Sequence, residues 1–227
     1  MSEADDRVLA IMIKAPRPGH VKTRLAAVYA PDAIVTLYRA LVEDTIDLAR
    51  RARLRTVAMC PVDDQEAVAQ WLPKDVEVVA QRGTGLAAGL LSTFDQLCTP
   101  SGQRVIAFNA DSPHLSAGVL EAAFAALATA DVVVGPCDDG GYYLVGAKRP
   151  HPGLFDATAM GRDSACTAIL AEAARQRLRV ALSAEHYDID LPADLTRLAR
   201  ELSGEPSRAS RTAAILRSWG LSNPTGV

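Results

Sequence analysis

The fold is decided near the amino terminus by the stretch VLAIMI, residues 8–13, and by the loop KAPRPGHVKTR, residues 14–24, that follows it. Six consecutive apolar residues, bounded by a loop rich in Pro and Gly, predict a short strand that is buried on both faces. Strands of this kind belong to parallel sheets that helices cover on both sides. The stretch therefore predicts the first strand of an α/β protein.

The rest of the chain alternates between apolar runs and amphipathic segments. Further strands are predicted at residues 54–60, 76–80, 104–108, 131–135, 142–146 and 179–182. Helices are predicted at residues 32–51, 63–71, 86–97, 116–127, 163–177 and 192–202. Alternation of this kind predicts a three-layer α/β/α fold. The fifth and sixth strands follow each other without a helix, so we expect a mostly parallel but mixed sheet.

A polar break at residues 203–210 divides the chain unequally. We predict a single domain over residues 1–202, which is a usual length for one α/β unit. Residues 203–227 are predicted to form a peripheral tail with a short helix.

Composition restricts the class of protein. The 227 residues are 49% hydrophobic and 22% charged, as in ordinary globular proteins, and the net charge of −3 argues against a nucleic-acid or anionic-membrane surface. Four cysteines without CxxC spacing favour reduced, buried thiols. There is no basic, apolar leader and no run of about 20 apolar residues. We therefore expect a cytoplasmic protein with neither nucleic acid nor membrane as partner.

The loop at residues 14–24 is basic in a chain that is acidic overall. Residues 7–31 carry five cations and no acid, and four of the cations lie in this loop. Ligands of open α/β sheets bind at the carboxyl ends of the strands, where this loop begins. Lys and Arg form charge-assisted bonds with phosphate oxygens, and Gly19 allows close backbone approach. A phosphate-bearing ligand is predicted here. A P-loop is excluded because no Gly directly precedes Lys22 and the loop has only one Gly, and a GxGxxG motif is absent.

Two acidic segments follow predicted strands. Asp111 comes after the strand at residues 104–108 and is expected at the same sheet edge as the basic loop. A carboxylate facing a diphosphate is useful through a bridging Mg²⁺ or Mn²⁺, with Asp190 as a possible second ligand. A turn-capping role for Asp111 is the alternative. The segment Asp138-Asp139-Gly140-Gly141 predicts a hairpin turn, with carboxylates available to hydroxyl groups or as a base.

Four sequence motifs, which follow one another along the chain, resemble motifs of a known family in the same order. They are KAPRPG with VKTRL at residues 14–25, NADSP at 109–113, GP with DDGGYYL at 135–144, and YDID with Pro192 and Asp194-Leu195. Over residues 8–200 the chain resembles the DUF2064 family, which is grouped with the nucleotide-diphospho-sugar transferases as candidate glycosyltransferases. The resemblance implies a GT-A-like fold, a nucleotide-sugar donor and a divalent cation. His114, Asn109 and the segment Leu86–Leu90 depart from the family pattern.

These observations assign the candidate site. The nucleotide and its phosphates are expected at Lys14, Ala15, Pro16, Gly19, Lys22, Arg24 and Asn109. A divalent Mg²⁺ or Mn²⁺ is expected at Asp111 and Asp190. The sugar or a small-molecule acceptor is expected at Asp138, Gly140, Gly141 and Tyr142, with Asp139 as the catalytic residue.

Three functions fit this site. The first is transfer of a sugar from a nucleotide-diphospho-sugar to a small acceptor. The second is nucleotidyl transfer from an NTP to a small phosphorylated acid, as in guanylyltransferases that use the same scaffold. The third is a degenerate module that binds nucleotide without turnover, which the departures at residues 86–90 suggest.

Overall fold

The computed structural model describes residues 6–98, 102–155 and 164–221. In this part of the chain the strands are β1 Arg7–Met12, β2 Arg55–Cys60, β3 Glu77–Ala80, β4 Arg104–Asn109, β5 Val132–Pro136, β6 Tyr142–Ala147 and β7 Val180–Leu182. The α-helices are α1 Pro31–Arg51, α2 Gln65–Trp71, α3 Gly85–Leu97, α4 Ala117–Ala126, α5 Ala165–Arg175, α6 Pro192–Gly204 and α7 Ser210–Ser218.

The strands form one mixed sheet in the order β3-β2-β1-β4-β6-β5-β7. Neighbouring strands are parallel except at β6, which pairs antiparallel with both β4 and β5. The reversal arises because only residues 137–141 connect β5 to β6, too few for the crossover that a parallel pair requires. The predicted mostly parallel mixed sheet is confirmed.

Helices cover both faces of the sheet and confirm the three-layer arrangement. One face packs against α1, α2 and α4, whose buried side chains include Val42, Val68 and Phe124. The other face packs against α3 and α5 through Phe94 and Ile169. The central strands are apolar at nearly every position because helices cover both of their faces.

The reversed strand determines where loops meet. Strands β1, β4 and β5 end at one edge of the sheet, and β6 begins there because it runs the other way. The basic loop, the segment after β4 and the β5–β6 turn therefore share that edge. A bridge between Cys137 and His186 brings the segment after β7 to the same place.

The carboxy-terminal helices extend the fold beyond the sheet. Helices α6 and α7 pack on the outer side of α1, and Leu198, Ala213 and Leu216 are buried there. The buried Asp44 of α1 fixes this contact, since its Oδ2 accepts a hydrogen bond of 2.8 Å from the backbone N–H of Thr212. The tail that we expected to be peripheral thus contributes a packed helix, while the predicted division at residue 202 stays a prediction.

We expect Asp44→Ala to lower the free energy of unfolding by about 1–3 kcal/mol, because a buried N–H loses its partner. Denaturant unfolding measures this. Asp47→Ala is the matched control, since Asp47 lies on the same helix and also pairs with Arg211, but in an exposed position. It should cost less than about 1 kcal/mol. Equal losses in both variants would contradict a specific role for the buried carboxylate.

Most predicted elements agree with the structure to within a few residues. The helix predicted at 63–71 begins as a 3-10 turn, Val62–Asp64, because the Asp64 carboxylate turns inward to the basic loop. The start predicted at residue 163 lies outside the described residues. All four cysteines are free. Among the described helices, none is long and apolar enough to span a membrane.

Candidate functional site

The basic loop is held by two side chains from other elements. Tyr38 of α1 accepts a hydrogen bond of 2.9 Å from the backbone N–H of Lys14. Asp64 accepts one of 2.9 Å from the N–H of Ala15, and its other oxygen lies 2.8 Å from the Arg17 guanidinium. Pro16 is half-buried between these contacts. The loop is therefore ordered without ligand, which reduces the entropy lost on binding.

Lys22 points into the protein and not outward into solvent. Its side chain is 6% exposed, and its Nζ lies 2.8 Å from Asp111 Oδ2 and 2.8 Å from Asp190 Oδ1. Arg24 reaches the second oxygen of Asp190 at 3.0 Å. Lys22 also has a φ of 47°, a left-handed conformation that costs a residue with a side chain about 1–2 kcal/mol. The two ion pairs offset part of this cost.

Three carboxylates form a cluster around this lysine. Asp111, Asp188 and Asp190 each place a carboxylate oxygen within 4.8 Å of the others. Asp111 follows β4, while the other two alternate with the buried Tyr187 and Ile189 on an extended segment. Since side chains of an extended segment point alternately to opposite sides, Asp188 and Asp190 face the cluster together.

Burial and neighbouring charges shift the pKa values of these groups in different directions. Burial lowers the pKa of Lys22, but the charges of Asp111 and Asp190 more than offset it, so the pKa lies above its usual value and the ammonium is retained. For Asp190, burial raises the pKa, and Lys22 and Arg24 bring it below its usual value. Burial, followed by repulsion from Asp111 and Asp190, raises the pKa of Asp188 to about 7. Among the described residues, the nearest cation, Lys22, forms its ion pairs with Asp111 and Asp190.

The cluster fits a divalent cation. Mg²⁺ and Mn²⁺ prefer hard oxygen ligands, and three carboxylates provide them. The Lys22 ammonium already takes a bridging position between two of the three, so the local field favours a cation there. A second group, Cys137, Asp139 and Asp188, fits such an ion less well. Burial raises the pKa of the Cys137 thiol, which stays protonated and is a poor ligand for a hard cation.

The β5–β6 turn presents Asp139 at the same edge. Its Oδ1 accepts a hydrogen bond of 2.8 Å from the backbone N–H of Gly141. Gly140 has a φ of 86°, a left-handed conformation that favours glycine at this position of the turn. Asp138 turns away instead and pairs with Arg197 of α6 at 2.6 Å.

These elements enclose a cleft of about 280 Å³. Of the residues predicted for the site, it is lined by Arg24, Asn109, Asp111, Asp139, Gly141, Tyr142 and Asp190. Asn109 directs its Oδ1 to the N–H of Asp111 at 3.3 Å, and its buried Nδ2 has no partner among the described residues. Apolar lining comes from Met12, Leu86, Leu90 and Ala165.

The remaining predicted residues do not line the cleft. Lys22 is buried between two of the lining carboxylates, Asp111 and Asp190. Lys14, Ala15, Pro16 and Gly19 belong to the loop and are absent from the lining, as are Asp138 and Gly140. Their assigned roles stay predictions.

Sequence reasoning missed two residues. Asp188 completes the carboxylate cluster, and the alternation Tyr187-Asp188-Ile189-Asp190 was a usable signal because acids at i and i+2 share a face. Asp64 fixes the basic loop from 49 residues away, and nothing in its local sequence indicates this.

His114 lies beside the site and is 3% exposed, with its ring stacked 4.4 Å from that of Tyr187. Neither ring nitrogen has a partner among the described residues. Burial lowers the pKa of this imidazole from 6.5 to about 3. The folded protein therefore keeps His114 neutral at a pH where the unfolded chain takes up a proton.

We expect His114 to destabilise the folded protein as the pH drops below about 6.5. Its depressed pKa makes the unfolded state bind more protons, which costs about 1–2 kcal/mol at pH 5, while Asp188, whose pKa is raised to about 7, acts in the opposite direction over the same range. The expected result is therefore a difference between proteins: on going from pH 7 to 5 in denaturant unfolding, His114→Leu should gain about 1–2 kcal/mol relative to wild type. His20→Gln, in the exposed part of the basic loop, should follow wild type. The same pH dependence in His114→Leu and wild type would contradict this role of His114.

The fold and the cleft define a nucleotide-diphospho-sugar transferase-like protein. Residues 45–162 match the family DUF2064, described as "Uncharacterized protein conserved in bacteria". This match spans more than half of the chain, and the protein belongs to that family. It includes the NADSP and DDGGYYL motifs but not the basic loop.

Proteins similar to this chain are named for different activities or ligands. The "putative nucleotide-diphospho-sugar transferase" of Desulfovibrio desulfuricans G20 is 29% identical, with a TM-score of 0.86 over 96% of this chain and 97% of that one. A phosphoenolpyruvate guanylyltransferase of Sphaerobacter thermophilus is 25% identical, with 83% of this chain and 91% of the relative covered. Rv0371c of Mycobacterium tuberculosis H37Rv, solved in complex with manganese, is 17% identical, with a TM-score of 0.52 over 86% and 98% of the chains.

Proposed function

We propose that the protein transfers a sugar from a nucleotide-diphospho-sugar to the hydroxyl group of a small, uncharged acceptor, with a divalent cation at the carboxylate cluster. The observation that carries this proposal is the meeting of Lys22 and Arg24 with Asp111, Asp188 and Asp190 at one edge of the sheet. Cations and carboxylates in one cleft suit a diphosphate that enters together with a metal ion.

Asp111, Asp188 and Asp190 would hold the cation, which when bound neutralises the phosphates and stabilises the leaving nucleoside diphosphate. Lys22 and Arg24 bind phosphate oxygens by charge-assisted hydrogen bonds. The unpaired Nδ2 of Asn109 is a further donor at the floor of the cleft. Asp139, whose carboxylate lies within 4.8 Å of that of Asp188, orients the acceptor hydroxyl and accepts its proton.

The charge at the acceptor end supports an uncharged acceptor. Asp139, Gly141, Tyr142 and Ala165 line this end, and they include one acid and no cation. Among the described residues that line the cleft, the one cation is Arg24, and it is already paired with Asp190. A carboxylate or phosphate on the acceptor would therefore be repelled by Asp139, and no described lining residue at this end carries a positive charge to offset the repulsion.

Nucleotidyl transfer is the second candidate. It is favoured by the guanylyltransferase relative, whose match extends over nearly its whole length. This reaction uses the same phosphate and cation sites, but the acceptor attacks the α-phosphate and pyrophosphate leaves. The acidic acceptor end is the observation that weighs against a phosphorylated acid.

Product analysis distinguishes the two reactions. The protein is incubated with Mn²⁺ and a panel of nucleotide-diphospho-sugars or NTPs, each with neutral polyols or phosphorylated acids as acceptors. Release of nucleoside diphosphate with a neutral acceptor is expected. Release of pyrophosphate from an NTP, dependent on a phosphorylated acid, would replace sugar transfer by nucleotidyl transfer. Tight nucleotide binding without either product would indicate a binding module.

A further inference from the structure

The position of Lys22 has a consequence for how the cluster binds a cation. Its Nζ lies 2.8 Å from oxygens of both Asp111 and Asp190, while the third carboxylate, Asp188, stands within 4.8 Å of the same group. A divalent ion that bridges Asp111 and Asp190 would have to occupy the space of the ammonium. Both cations cannot be there at once, because they would overlap and repel each other.

We propose that Lys22 is an internal competitor for the cation, which it holds off until a nucleotide phosphate provides the lysine with another partner. The competition itself does not depend on the proposed function, but the release of the cation site by a nucleotide phosphate rests on it. In the unliganded protein the lysine neutralises the carboxylates. When the cation enters with the nucleotide, the ammonium moves from the carboxylates to the phosphate oxygens.

Burial and conformation make this exchange physically reasonable. The Lys22 side chain is almost completely buried, so the carboxylates it leaves need a replacement cation, and the ammonium it carries needs a replacement anion. A metal–nucleotide complex supplies both at once, whereas a free cation supplies only one. Its left-handed φ of 47° shows that the loop holds Lys22 in an unfavourable backbone conformation, as residues at ligand-binding sites often are.

The exchange couples the two ligands. By linkage, if the nucleotide raises the affinity for the cation, the cation raises the affinity for the nucleotide by the same factor. The wild-type protein should therefore bind free Mn²⁺ weakly and the Mn²⁺–nucleotide complex tightly. Lys22 is a positioning residue in this scheme, and its removal should have opposite effects on the two ligands.

The first test measures free Mn²⁺ binding without nucleotide by electron paramagnetic resonance. Lys22→Met keeps the length and apolar stem of the side chain but removes the ammonium. We expect it to bind Mn²⁺ about tenfold or more tightly than wild type, since the site no longer has to be opened first. Equal or weaker Mn²⁺ affinity in a folded Lys22→Met would overturn the inference.

Arg24→Met is the matched control for charge alone. Arg24 also pairs with Asp190, but its side chain is 58% exposed and no ion pair to Asp111 is found for it. Its removal should change Mn²⁺ affinity by only a fewfold, as expected for an exposed pair. A gain in Arg24→Met as large as in Lys22→Met would show a general charge effect and contradict displacement by Lys22.

The second test needs no substitution and remains valid if Lys22→Met does not fold. The wild-type protein is treated with an acetylating reagent, and modification of Lys22 is measured by peptide mass spectrometry, with the exposed Lys74 as internal reference. Reactivity should be low in chelator, higher in saturating Mn²⁺, and low again after addition of a nucleotide diphosphate. Reactivity of Lys22 that Mn²⁺ does not change would overturn the inference.

The two proposals fail in distinguishable ways. If Lys22→Met gains Mn²⁺ affinity but no nucleotide binds to any variant, the competition stands and the transferase function is wrong. If wild type turns over with Mn²⁺ while Mn²⁺ affinity is the same with and without Lys22, the function stands and the competition is wrong.

Discussion

Asp111→Asn is expected to abolish the effect of Mn²⁺ on nucleotide affinity. Asp111 is the one member of the carboxylate cluster that follows a central strand, so its backbone is the most firmly placed of the three. The substitution keeps an oxygen that can accept a hydrogen bond from Lys22 but removes the charge. Loss of a direct ligand should weaken Mn²⁺ by at least about 100-fold, since loss of an outer-shell partner alone costs about 10–100-fold.

The affinity for a nucleotide-diphospho-sugar is measured in Mn²⁺ and in chelator, for wild type and for Asp111→Asn. The thermal midpoint of each protein shows whether it is folded. Asp131→Asn is the control for a general loss of charge, because Asp131 pairs with Arg179 at the opposite end of β5. The control should retain the full Mn²⁺ effect. If Mn²⁺ strengthens binding equally in wild type and Asp111→Asn, this residue is not a ligand.

Much of the fold could be predicted because its signals are local. The buried strand at residues 8–13, the helical spacing of α1 and the Asp-Gly turn before β6 each indicate one element without reference to the others. The position of the site followed from one rule, that ligands meet the carboxyl ends of parallel strands. The same rule placed Asp111 at the edge where the basic loop lies.

What could not be predicted depends on contacts between distant parts of the chain. The sequence predicts Lys22 as a phosphate ligand, but its ion pair with Asp190, which spans 168 residues and turns it inward, has no local signal. Asp138 and Asp139 are neighbours in one turn, but Asp138 forms an ion pair with the distant Arg197 on α6, while Asp139 accepts a hydrogen bond from the nearby N–H of Gly141. Asp44 appears as a polar interruption of an apolar helix face until α7 provides the backbone N–H that it binds.

Because the two acids of the β5–β6 turn have different partners, we expect substitution of Asp139, and not of Asp138, to lower turnover strongly. Asp139→Asn is expected to lower turnover about 10²-fold or more, in the range for loss of a general base, with nucleotide affinity changed less than about threefold. The turn itself should survive, since the Asn side-chain oxygen can still accept the hydrogen bond from the N–H of Gly141. What is lost is the charge that accepts the proton of the acceptor hydroxyl.

Asp138→Asn is the matched control, one residue away, in the same turn and with the same change of charge. Asp138 pairs with Arg197 and does not line the cleft, and an exposed ion pair contributes little, so turnover should stay within about threefold of wild type. Single-turnover rates and nucleotide affinities for the three proteins decide the matter. Equal losses of turnover in both variants would mean that the turn acts only through its net charge. A loss of nucleotide affinity in Asp139→Asn that matches its loss of turnover would place Asp139 on the nucleotide side of the cleft.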